Sequence, residues 1–123
     1  MTERARLLQA VNELEATFRQ SWQRANDESG DNRKEGIQLR RVISERMAEI
    51  SSLGHLAFGE SELHGKFRSE FSKMRSRLAF HHASWPIVTI EFDNPDYLRS
   101  AAELREASDT FIAWVKTTLA IQR

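Results

Sequence analysis

The chain has 123 residues, 40% of them apolar and 29% charged, with two prolines, five glycines and no cysteine. That length predicts a single domain, residues 1–123, able to bury roughly two-thirds of the surface of its unfolded chain. Scarce Gly and Pro argue against disorder, and the missing cysteine excludes a disulfide framework, a thiolate zinc site, an iron–sulfur cluster and a cysteine nucleophile. Eighteen basic residues balance eighteen acidic ones, which argues against a globally basic nucleic-acid binder. The opening MTERARLLQA mixes both charges and has no apolar centre. No apolar run approaches the roughly 20 residues that cross a bilayer. A soluble, cytoplasmic protein with no membrane partner is the expectation.

Thr2 followed by Glu3 suits a helix cap and a first-turn acid. Leu7, Val11, Leu14, Phe18 and then Trp22 or Ala25 recur at spacings of three and four, the mark of one apolar stripe on a helix over about 3–28. Glu28-Ser29-Gly30-Asp31-Asn32 reads as a stop and a turn. A second stripe, Leu39, Ile43, Met47, Ile50 and Leu53, predicts a helix over about 33–60, with Gly54, Gly59 and Gly65 all available to close it. The third runs through Leu63 or Phe67, Phe71, Met74, Leu78, His81 and Trp85, a helix over 62–85 stopped by Pro86.

Residues 87–92, IVTIEF, have the composition of a short extended piece, but with no second strand candidate a sheet is implausible. Asp93-Asn94-Pro95 signals a helix start. The last stripe is Leu98, Ala101, Leu104, Ser108, Phe111 or Ile112, Val115 and Leu119, over 95–121. Four long amphipathic helices joined mainly by short turns predict an all-α protein, an antiparallel up-down four-helix bundle. Its core should be Leu7, Val11, Leu14, Phe18, Leu39, Ile43, Ile50, Phe67, Phe71, Met74, Leu78, Leu104, Phe111, Ile112 and Val115.

Charge is uneven: residues 33–86 hold ten Lys or Arg against six Asp or Glu, while each flank is acidic. The plain reading of Lys66, Arg68, Lys73, Arg75 and Arg77 is a solvated face partly paired with the acidic fourth helix; no helix-turn-helix pattern supports DNA reading. Carboxylate-bridged metal bundles place Glu-x-x-His on two helices. None of His55, His64, His81 or His82 has Glu three residues before it, and no His-x-x-x-His pair occurs, so neither metal nor cofactor is expected. His81 shares the stripe of Met74, Leu78 and Trp85 and should be a hydrogen-bonded, buried or half-buried side chain. There is no Gly-x-Ser-x-Gly elbow and no glycine-rich phosphate loop. An enzyme with its own active site is not expected.

One constellation remains, around His55 in SLGHLAFGESELHGKF. At about 100° per residue and with Ile43 as zero, Met47, Ile50 and Ala57 stay within about 40° of the core direction, whereas His55 and Gly59 fall at about 120° and 160°. A helix continuing through this run points the imidazole outward, with Gly59 leaving its flank open and Leu56 as an apolar fringe. An exposed, largely unprotonated imidazole is a competent nitrogen nucleophile. In the alternative, Gly54 is the residue closing the second helix and HLAFGES is a loop.

The run resembles the histidine phosphotransfer domains of phosphorelays, helical bundles of similar length with Gly four and ten residues after the acceptor His, here His55, Gly59 and Gly65. The resemblance covers about 11 residues. It implies that His55 is the phosphoryl acceptor, Gly59 the clearance position and Gly65 the turn closing the helix. The family's Lys three residues after the His is Phe58 in this chain, and Lys66 is the available substitute. Leu56 and Phe58 would dock a receiver domain or a histidine kinase. Without phosphate chemistry, the same face, or an apolar patch involving Trp22, Phe80, Trp85 or Trp114, would bind another protein or a second copy of the chain.

Overall fold

A computed structural model of the chain describes residues 2–25, 32–59 and 61–121. It holds four helices, α1 (Glu3–Ala25), α2 (Asn32–Phe58), α3 (Glu62–Ser84) and α4 (Pro95–Ile121), and no strand among the described residues. The turn expected at 28–31 lies outside the described residues, as does Glu60, the expected last residue of the second helix. Both expected starts are capped. The Ala5 N–H donates to Thr2 Oγ1 at 3.1 Å, and Asn94 Oδ1 accepts from the Asp96 N–H at 2.8 Å.

The expected core is found. All fifteen named residues are buried, and most join one apolar cluster drawn from all four helices. The cluster also takes Ala10, Met47, Phe58 and Leu119. Helix α1 packs on α2 and α4, and α3 on α4 and α2. Ion pairs cross three of these seams: Arg46 to Glu13 at 3.3 Å, Lys116 to Glu15 at 2.8 Å, and Arg77 to Glu103 at 3.0 Å. Each is at least partly open to solvent and contributes about 1 kcal/mol or less.

The segment 87–92 differs from its expected extended form. Ile87–Thr89 is a single 3₁₀ turn, with the Thr89 N–H donating to the Pro86 carbonyl at 3.1 Å, and Ile90 returns into the interior. No strand among the described residues pairs with it, and side chains of α2 donate to its carbonyls instead. Arg33 donates to the carbonyls of Ile87 and Ile90, and Arg40 to that of His82 at 3.3 Å. A cation beside the last carbonyls of α3 is also favourable to its dipole. No helix among the described residues is long and apolar enough to cross a membrane.

Candidate functional site

Helix α2 runs unbroken through Gly54 to Phe58, and His55 is exposed on it. Gly54 is neither a break nor a cap. A Cβ there would lie 2.1 Å from Phe67 Cζ and within 2.7 Å of two further ring atoms. The missing side chain is a notch that the Phe67 ring of α3 fills. Eleven residues beyond Ile43, Gly54 sits only about 20° off the core direction, where a bulkier residue would hold α3 away.

Gly59 closes the helix. Its φ of +56° is the left-handed conformation that Gly adopts without steric cost, and its N–H donates to the His55 carbonyl at 3.0 Å. Ser61 then ties the turn, its N–H and Oγ both donating to the Phe58 carbonyl, at 3.2 and 2.7 Å. The short turn delivers His64, in the first turn of α3, onto His55: His55 Nδ1 lies 3.1 Å from His64 Nε2, with the rings edge to face.

Several residues of the expected motif therefore have other places. Gly59 is the closing residue rather than a clearance position within a continuing helix, and the end of the helix is what opens the flank of His55. Gly65 lies inside α3, not at the turn, with open space around it. Lys66 faces about 200° around α3 from His64 and pairs with Glu70 at 3.4 Å, so it does not turn toward His55. Phe58, expected on the docking face, is 4% exposed and packs on Phe67 and Trp114. The same arithmetic that turned His55 outward puts Phe58 about 60° from Ile43, on the edge of the core face. Leu56, at 61% exposure, is on the surface as expected.

Between α2 and α3 a groove passes His55, His64, Arg68 and Arg75, with Ser51, Ser52, Ser69 and Ser72 among its other walls and no carboxylate among the described residues that line it. Arg68 makes no ion pair or hydrogen bond among the described residues. Arg75 lies over the Phe71 ring, 5.8 Å from its centroid. The nearby acid, Glu70, is on the other side of α3 and is held by Lys66 and Lys73. One turn of α3 separates His64 from Arg68 and two more bring in Arg75, so the three share a face. The pairing of His55 with His64 was not legible in the sequence, because it depends on how the turn at 59–61 folds. No third metal-type ligand joins them in a cluster among the described residues.

At the far end of α3, roughly 25 Å away at 1.5 Å per residue, His81 is 6% exposed and its Nδ1 lies 2.8 Å from Ser100 Oγ. That is the hydrogen-bonded core histidine expected from its stripe. Burial, reinforced by the charge of Arg40, pushes the His81 imidazole down to about 4, and burial, with Arg40 and His81, takes His82 to about 3. Both rings are neutral at pH 7.

Compared with protein-family models, with curated proteins and with solved structures, the chain matches none.

Proposed function

We propose that the chain is an antiparallel up-down four-helix bundle serving as a small signalling and interaction module, and that His55 on its α2/α3 face accepts a phosphoryl group from the aspartyl phosphate of a docked receiver domain. The observation that supports this most is an exposed imidazole tied at one nitrogen only among the described residues, in a groove that they line with Arg68 and Arg75 and with no carboxylate. When His55 Nδ1–H donates to His64 Nε2, the lone pair of His55 is at Nε2, which has no partner among the described residues. Nε2 attacks phosphorus, the N–P bond forms as the aspartyl O–P bond breaks, and the donor leaves as a carboxylate. The ring proton stays at Nδ1, where His64 accepts it. Arg68 and Arg75 supply the positive charge that Lys66, turned away, does not.

The exposed Leu56 beside His55 favours a second form of the same reading, in which the face binds a protein partner or a second copy without transfer. Incubation with phosphorylated receiver domains separates the two. Acid-labile label on the wild type that is absent from His55→Gln supports transfer. A complex without label supports docking alone, and neither label nor complex with any receiver or kinase defeats both.

A further inference from the structure

A separate cavity lies away from His55, where the end of α1, the first half of α2 and the start of α4 meet the α3–α4 connection. It has a volume of about 260 Å³. Phe18, Trp22 and Phe92 give it aromatic walls, with Trp22 stacked on Phe18 and carrying Arg105 4.7 Å over its ring, and Arg40, His81 and Tyr97 also line it. Tyr97 anchors one wall, 5.7 Å from Phe92 and 5.4 Å from His81 between ring centroids.

Three polar side chains at this cavity, Arg40, His81 and Tyr97, have donors that no described residue uses and that are not sealed from solvent. Each of these three is a donor with capacity to spare, and among the described residues no Asp or Glu lines the space. Arg40 is half-buried and forms no ion pair among the described residues; its single hydrogen bond, to the His82 carbonyl, uses one of five N–H groups. His81 is 94% buried by its 6% exposure, and its Nε2 has no partner among the described residues. When the Ser100 hydroxyl donates to His81 Nδ1, the ring proton resides on Nε2. The Tyr97 hydroxyl is likewise without a partner among the described residues, in a side chain 6% exposed. A guanidinium, an imidazole N–H and a phenol around one apolar space match a ligand with an anionic, two-oxygen end and an apolar body.

Size narrows the class. An apolar cavity of about 150 Å³ holds benzene, with six ring atoms, so by proportion this one suits a ligand of roughly ten non-hydrogen atoms. We infer that the protein has a binding site for a small arylcarboxylate, its carboxylate on Arg40 with His81 and Tyr97, and its ring against Trp22 and Phe92. The site is independent of His55 and stands or falls separately from phosphoryl transfer.

Phenylacetate, with about ten non-hydrogen atoms, is the probe, and phenylacetamide is its uncharged control. Titrated into the full chain and followed by Trp fluorescence and amide chemical shifts, phenylacetate should bind saturably. The amide should bind at least about tenfold more weakly. Arg40→Gln should reduce phenylacetate affinity by at least about tenfold and erase the preference for acid over amide. Because Arg40 also bonds the end of α3, Ala101→Phe, which fills the cavity and leaves Arg40 in place, is the second variant. It should abolish binding while circular dichroism shows an intact fold. Equal affinity for acid and amide overturns the proposal, as does unchanged binding in a folded Arg40→Gln or Ala101→Phe. So does the absence of saturable shifts up to about 20 mM. If neither variant folds, the comparison of acid with amide on the unaltered protein decides.

Discussion

Replacing Gly54 with Ala should destabilise the protein, although helix propensity alone predicts the opposite. In an exposed helix interior the change gains up to about 1 kcal/mol. Here the new methyl carbon would sit 2.1 Å from Phe67 Cζ, against a comfortable carbon–carbon separation of about 3.5–4.0 Å. The ring must therefore retreat by well over 1 Å, as a rough difference of those distances. Phe67 is 2% exposed and is boxed by Phe58, Phe71 and Phe111 at 5.5 to 5.8 Å between centroids. Overpacking a dense core costs about 1–3 kcal/mol, and a rigid ring boxed by three others belongs near the upper end. After the propensity gain, a net loss of about 2 kcal/mol remains, equivalent to a fall of roughly 8 °C in Tm for a chain this long. Urea and thermal unfolding followed by circular dichroism measure it. Phe67→Leu should relieve the clash, so the double variant should be more stable than the sum of the two single effects by about 1 kcal/mol or more. The same retreat of α3 should separate His64 from His55, visible in imidazole nitrogen shifts. A neutral or stabilising Gly54→Ala, or strict additivity with Phe67→Leu, would refute the notch.

Three further outcomes follow from the geometry. His81 and His82 take up protons more readily unfolded, near pH 6.5, than folded, at about 4 and about 3. Stability is then full above pH 6.5, falls as pH drops below it, and for His81 stops falling below about pH 4; His81 alone accounts for about 2 kcal/mol between pH 7.5 and pH 5. His82 is less well enclosed and adds less than its shift implies. Urea midpoints at the two pH values test this, and equal midpoints would contradict it; His81→Gln should narrow the difference. Gly59→Ala should cost about 1 kcal/mol at its φ of +56°, whereas Gly59→Asn should cost less, because Asn tolerates that conformation. Equal losses in unfolding experiments would argue against the left-handed cap. Asn94→Ala should cost about 1 kcal/mol by removing the acceptor of the Asp96 N–H, and an unchanged midpoint would show that water serves that group equally well.

The helices and core were legible because their signals are local and periodic. Stripes at spacings of three and four place apolar side chains on one face whatever the neighbouring helix does, and Pro86 and Pro95 mark boundaries through their own backbone constraints. Phe58 was legible too, since its angle from Ile43 puts it at the core edge. It was expected on the surface only because its position in a motif took precedence over that angle. His64 belongs to a different class of feature. Its approach to His55 rests on the Gly54 notch, the left-handed Gly59 and the Ser61 bonds acting together, none of which has a period. Arg40 and Arg33 satisfying the α3–α4 connection is likewise tertiary. The composition of IVTIEF favours extension, and the lack of a partner strand left the segment to fold back over α2.

The central claim concerns one atom, Nε2 of His55. The most direct test is nitrogen and phosphorus NMR of the full chain after incubation with a phosphorylated receiver domain, with His55→Gln in parallel. The account predicts one acid-labile phosphoryl group on Nε2 of His55, retained in a folded Lys66→Ala and lost in His55→Gln. Label on another residue, or none from any receiver domain, would contradict it.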